Sequence, residues 1–178
     1  TQDLHCKEII NHPLYPIDDH GAHARQAIID QVKRELDDDG CAVIRNFFSP
    51  TGLGTLLAEA EQRKPKTYYS EQKQCNVYLN DGDESYPADH PRNVLLPRTN
   101  GFITADLFEA ETASYRLYHW EPLKLFLAEC LGKDQLYLYE DPVSNMIVNV
   151  GRPRQQFNWH FDTNEFTITM LLQPASSG

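Results

Sequence analysis

What this sequence most plainly lacks is a surplus of basic residues. Its 16 Lys and Arg stand against 26 Asp and Glu, for a formal charge of −10. With no basic run to replace the counterions of a phosphate backbone, nucleic-acid binding through the bulk field is not expected. Long apolar runs are missing as well. No stretch approaches the roughly 18–20 residues of a membrane span, and residues 1–15 show neither the basic nor the apolar segment of an export signal, so no membrane partner is expected. Cysteine is sparse: Cys6, Cys41, Cys75 and Cys130 lie far apart with no Cys-x-x-Cys pair. Neither a disulfide framework nor a zinc ribbon is expected, and reduced thiols in a cytoplasmic protein are the default reading. His-Glu-x-x-His and Gly-x-Ser-x-Gly are both absent, which removes the usual signatures of zinc hydrolases and of serine hydrolases. The sequence opens on Thr1 rather than methionine and stops at Gly178 after an apolar run, so a fragment of a longer polypeptide is the expectation.

What is present suits one domain spanning residues 1–178: 40% hydrophobic and 11% aromatic residues suffice for a single core. Ala24, Ile28, Val32 and Leu36 recur every four positions and predict a helix of about four turns, with Gly40 as its stop. Residues 41–45 read as a short strand. Ser49-Pro50 supplies an N-cap and an N1 proline for a second helix carrying Leu53, Leu56, Leu57 and Ala60. Glu121-Pro122 opens a third helix with Leu123, Phe126, Leu127 and Cys130 on its core face and Gly132 ending it. Residues 76–80 read as a candidate strand, and the polar run 81–91 as a long surface loop or lid. After Gly132 the period becomes strand-like over 135–139, 145–150 and 166–173. Helices first and strands later predict an α+β fold in which a sandwich or barrel is braced by helices.

The richest chemical cluster is Asn158-Trp-His160-Phe-Asp162. On a strand, alternate residues share a face, so an imidazole and a carboxylate two apart can hold one metal ion. With seven histidines and 26 acids, about one His-x-acid pair is expected by chance. The sequence has two. In the other, His119-Trp-Glu121, the acid precedes Pro122 at a helix entrance, where a carboxylate complements the helix dipole, and His119 reads as structural. Phe157 and Trp159 have the opposite parity to His160 and are expected in the core.

A facial triad of two histidines and one carboxylate uses such a pair plus a distant histidine, leaving open positions on iron(II). The segments Asp39-Gly-Cys-Ala-Val-Ile-Arg-Asn-Phe-Phe-Ser-Pro50, Asn149-Val-Gly-Arg-Pro, Trp159-His-Phe-Asp162 and Phe166-Thr-Ile-Thr-Met-Leu-Leu-Gln173 occur here in that order. Together they resemble the iron(II)/2-oxoglutarate-dependent oxygenases, and most closely the bacterial branch of hydroxylases and halogenases of free amino acids and similar small metabolites. The resemblance is loose over most of the chain and close over residues 135–173. It implies a double-stranded β-helix, a jelly-roll or cupin-like barrel, with His160 and Asp162 as proximal iron ligands and 2-oxoglutarate and O2 as cosubstrates. The implied reaction hydroxylates an unactivated C–H bond of a small polar metabolite such as a free amino acid, with oxidative decarboxylation of 2-oxoglutarate to succinate and CO2. Halogenating relatives replace the carboxylate ligand by a small residue. Asp162 is retained here, which favours hydroxylation.

The family's distal histidine and the basic residue gripping the far carboxylate of 2-oxoglutarate lie on strands later than Gln173. None of His5, His12, His20, His23, His90 or His119 stands in the right order to replace that histidine, and C-terminal strands missing from this chain are the expectation. Among secondary candidates, Asn149 (with Asn145) and Thr169 (with Thr167) either face the barrel, where they suit hydrogen bonds to a bound dicarboxylate, or face solvent. Arg98, after the apolar run 94–97, has the fork geometry to grip a carboxylate of cosubstrate or substrate. Glu140 suits the cationic amine of an amino-acid substrate, the alternative being a solvated acidic turn. Tyr68, Tyr69 and Tyr86 read as loop anchors or as aromatic cover for a substrate. The competing function is a cupin-like small-molecule binding protein without catalysis.

Overall fold

The computed structural model describes residues 4–162 and 164–176. Among them are five α-helices: α1 (Cys6–Ile9), α2 (His23–Asp39), α3 (Pro50–Arg63), α4 (Ala113–Tyr118) and α5 (Glu121–Cys130). Five short strands accompany them: β1 (Tyr68–Tyr69), β2 (Gln74–Cys75), β3 (Leu96–Pro97), β4 (Gly101–Ile103) and β5 (Val148–Val150). The chain forms two compact units, Thr1–Gln62 with Ala105–Met146, and Arg63–Thr104 with Ile147–Gly178.

The first unit is helical. Helix α2 ends where Gly40 takes the left-handed conformation at φ 69°, a position that disfavours any Cβ. Its buried face is Arg25, Ile29 and Val32, turned one position from the apolar stripe that begins at Ala24. The turn follows from Arg25. Its Nε donates to the Ile17 carbonyl at 2.8 Å, and its two terminal nitrogens meet both oxygens of Glu129 on α5 at 2.9 and 2.6 Å. A bidentate pair of this kind compensates the guanidinium for leaving water, and α2 packs on α5 around it. Phe126, 1% exposed, lies beneath, its ring centroid 6.0 Å from the Arg25 guanidinium carbon.

Helix α3 opens as its sequence predicts, with Ser49 Oγ accepting from the Gly52 N–H at 2.9 Å and Pro50 in the first turn. Gly52 touches the chain at Ile9 so closely that a Cβ would stand 2.0 Å from the Ile9 carbonyl oxygen. Farther along, the buried Glu59 accepts from the N–H groups of Ala113 and Ser114 at 2.6 and 3.0 Å and from Ser114 Oγ at 2.7 Å. A carboxylate on one helix thus caps the first turn of another, α4.

The second unit holds the strands. β4 is the centre of an antiparallel sheet β1-β4-β5, with Tyr68 opposite Phe102 and Phe102 opposite Asn149. β2 and β3 pair separately, Gln74 opposite Pro97 and Cys75 opposite Leu96. Gly101 is required because the Tyr69 ring and the Thr67 methyl lie across it. A Cβ there would be 2.7 Å from Tyr69 Cε1 and 2.3 Å from Thr67 Cγ2.

The fold is mixed α and β with small antiparallel sheets, and no closed barrel forms among the described residues. Several expectations need correction. Four strands precede α4, so the order is not helices first. Residues 135–139 and 166–173 are not strands, and of 145–150 only Val148–Val150 pairs. An alternating pattern becomes a strand only where another strand takes up its N–H and C=O groups, and no ladder to these segments forms among the described residues. Residues 41–45 are likewise irregular. Residues 76–80 form a turn, with Leu79 at φ 60°, because the Asn76 side chain captures the local N–H groups. No described helix is long and apolar enough to cross a membrane.

Candidate functional site

The His-Phe-Asp segment lies in the second unit and is placed by the end of β3 and the residues that follow it rather than by a strand of its own. Phe157 makes an isolated antiparallel bridge with Arg98, and the Arg98 N–H donates to the Lys73 carbonyl at 2.7 Å. Thr99 reaches the same segment: its N–H donates to the Gln156 carbonyl at 2.9 Å, and its Oγ1 accepts from the Gln156 N–H at 2.9 Å. Asn158 Nδ2 donates to the Pro97 carbonyl. These contacts leave residues 158–162 without a ladder, and local side-chain bonds define the pair instead.

His160 Nδ1 lies 2.6 Å from the Asn158 carbonyl. A carbonyl only accepts, so the proton belongs on Nδ1, and the Nε2 lone pair of a neutral ring points the other way. It points at Asp162, whose Oδ1 is 3.2 Å from Nε2. The other oxygen, Oδ2, accepts from Thr167 Oγ1 at 2.6 Å. Nε2 and Oδ1 therefore face each other at ion-pair distance, which a proton on Nε2 or a metal ion between them would hold. In cis positions on an octahedral ion, donors bound at about 2.2 Å lie about 3.1 Å apart. The spacing and the hydrogen-bonded outer atoms of both side chains fit a divalent metal ion. Among the described residues no group of three His, Cys, Asp or Glu comes together.

Beside the pair, the Phe157 ring stacks on the His160 imidazole, centroids 4.3 Å apart. The Arg98 guanidinium carbon stands 5.9 Å from the same Phe157 ring and 5.3 Å from the Phe102 ring. Arg98 Nε is buried with no hydrogen-bond partner. The Phe157 ring thus contacts both a cation and the candidate ligand histidine. The expectation that Phe157 and Trp159 pack in a core is corrected, since Phe157 is partly exposed on the site and Trp159 is 89% exposed. Parity fails because the segment is not a strand.

The other predicted residues are more scattered. Asn149, on β5, accepts from Asn100 Nδ2 at 3.0 Å, while Asn100 Oδ1 is buried without a partner. Thr167 joins Asp162, whereas Thr169 is exposed. Glu140 belongs to the first unit and is exposed, preceding an Asp141 whose carboxyl is lowered by the Val143 N–H. Tyr86 anchors its loop by stacking on His90, centroids 4.3 Å apart. Sequence reasoning missed the stacking role of Phe157 and the carbonyl of Asn158, which no side-chain pattern encodes. A cavity of 420 Å³ in the first unit, lined by Glu35, Asp39, Cys41 and Arg45 among others, contains none of the predicted residues.

Comparison of the chain with family models, with curated proteins and with solved structures found no match.

Proposed function

We propose that this protein is a non-haem iron(II)/2-oxoglutarate-dependent oxygenase that hydroxylates an unactivated C–H bond of a small polar metabolite such as a free amino acid. The observation that carries this reading is the convergence of His160 Nε2 and Asp162 Oδ1 at 3.2 Å, each side chain held by a hydrogen bond at its far atom. The ordered motifs add to it. On this reading the jelly roll is the parent architecture, and the third protein donor comes from outside the described residues. The chemistry supplied when iron(II), 2-oxoglutarate and O2 are bound is oxidation of a C–H bond coupled to formation of succinate and CO2.

The residues of the chain do the rest. His160 and Asp162 hold the metal. The Asn158 carbonyl keeps the imidazole in the tautomer that presents Nε2, and Thr167 holds Oδ2 so that Oδ1 faces His160. Arg98 carries a donor that is already desolvated and unpaired, so a carboxylate reaching it regains a hydrogen bond rather than trading one. Asn149 and Thr169 are polar positions for the remaining oxygens of a dicarboxylate. The four cysteines are all free, which suits a cytoplasmic protein.

A second reading is a cupin-like small-molecule binding protein without catalysis, favoured by the presence of only two converging donors among the described residues. Anaerobic titration of the full-length protein with iron(II) and 2-oxoglutarate separates the two. The oxygenase reading expects a weak visible charge-transfer band that is lost in His160→Ala. No band in the wild-type full-length protein would leave the binding-protein reading.

A further inference from the structure

The polar run 81–91, expected as a loop or lid, is cross-tied at both ends by asparagines. Asn76, 3% exposed, donates through Nδ2 to the carbonyls of Asp81 and Arg92 at 2.8 and 2.9 Å. Its Oδ1 accepts from the N–H groups of Tyr78 and Asn80 at 2.9 and 3.1 Å. Asn93 mirrors it, with Nδ2 reaching the carbonyls of Asp83, Tyr86 and Pro87 and Oδ1 accepting from the Asp83 N–H at 2.7 Å. Such a loop keeps one conformation because its interior donors and acceptors are paired within it.

A stack of planar groups crosses the loop and ends at the site. The Arg92 guanidinium carbon stands 5.3 Å from the Tyr86 ring and 4.8 Å from the Tyr78 ring. Tyr78 in turn stacks on Phe161, centroids 5.5 Å apart at an interplanar angle of 26°. The backbone joins at the same place, since the Phe161 N–H donates to the Val77 carbonyl at 2.7 Å. Phe161 is the residue between His160 and Asp162. Its ring and its peptide are both held by the Val77-Tyr78 turn, in a segment where no strand ladder fixes the backbone.

We propose that Tyr78 is a positioning residue for the His160–Asp162 pair, acting through Phe161. The inference rests on the metal-holding reading of that pair and adds what fixes its direction. A ring packed in an offset stack on Phe161 limits rotation of the peptides on either side, and those peptides carry the two donors. Cation–π and aromatic contacts supply the restraint without consuming a polar group of the site.

The test is cobalt(II) titration of the full-length protein as wild type, Tyr78→Phe, Tyr78→Ala and His160→Ala, with amide hydrogen exchange read at Phe161. Expected is wild-type affinity in Tyr78→Phe and a loss of about tenfold or more in Tyr78→Ala, the range for removing support behind a metal ligand. Faster exchange of the Phe161 amide should accompany that loss, with a melting temperature close to that of Tyr78→Phe. Binding that depends on His160 yet ignores Tyr78→Ala overturns this inference alone, as does an equal loss in Tyr78→Phe. Cobalt binding indifferent to His160→Ala overturns the metal reading and this inference with it.

Discussion

His160 Nε2 and Asp162 Oδ1 stand 3.2 Å apart, each on a side chain whose other polar atom is already engaged. A nitrogen lone pair and a carboxylate oxygen facing each other need a cation between them, either a proton or a metal ion. Two residues apart on an irregular segment, they converge because Nδ1 turns back to the Asn158 carbonyl. That local bond, not strand parity, aims the imidazole.

Removing the charged member of the pair should abolish metal retention and turnover together. Asp162→Ala in the full-length protein is expected to lose iron(II) binding and 2-oxoglutarate-dependent succinate formation. Its melting temperature without metal should stay close to wild type, because Asp162 is exposed. Wild-type turnover in this variant would end the ligand assignment.

Arg98→Ala separates cosubstrate or substrate binding from metal binding. Loss of a charge-assisted pair costs about 1.5–3 kcal/mol, or roughly 10–150-fold in KM for 2-oxoglutarate or substrate. Iron(II) affinity should be unchanged. Steady-state kinetics with each ligand varied in turn would show which carboxylate Arg98 grips, and unaltered KM values for both would remove it from the site.

Gly52→Ala tests the closest packing in the helical unit. The new Cβ would meet the backbone oxygen of Ile9 at 2.0 Å, and backbone cannot swing aside as a side chain can. A destabilisation of about 2–3 kcal/mol is expected from this overpacking. Chemical denaturation would measure it, with Gly54→Ala, where a Cβ meets nothing within 4 Å, as the contrast: there helix propensity should stabilise by about 0.5–1 kcal/mol.

The acid limb of stability should report Asp18. Burial pushes this carboxyl up, but hydrogen bonds from Lys7 and His12, both at 2.5 Å, outweigh it and hold the group at about 2 against an ordinary 3.8. A lowered folded-state value means the stabilisation is full above the unfolded pKa of about 4 and is lost as pH falls toward 2. Melting temperatures from pH 5 to 2 should fall less steeply in Asp18→Asn. Parallel acid limbs in the two proteins would show that Asp18 does not set this slope.

The residues themselves determined the stop of α2, the start of α3, the span of α5 and the composition of the candidate ligand pair, while α1 and α4 were not legible in the pattern. Gly40, Ser49-Pro50, Glu121-Pro122 and Gly132 act through the backbone of their own few residues, so their meaning is readable locally. The donor chemistry of His160 and Asp162 is readable in the same way, whereas the bond from Thr167, five residues on, to Asp162 is not, since the pattern offers Thr167 only to a barrel face or to solvent. Tertiary structure decided the rest. Nothing local shows that Arg25 and Glu129, 104 positions apart, would meet and turn α2 on its axis, or that Glu59 would be buried as the cap of α4. The strand-like pattern after Gly132 states which residues prefer extended backbone, but a strand exists only when a partner accepts its hydrogen bonds. Likewise the polar run 81–91 reads only as a long surface loop or lid from composition alone. Its path is tied by Asn76 and Asn93, which bring several backbone groups to one amide each, and pairing of that kind is a property of three-dimensional arrangement.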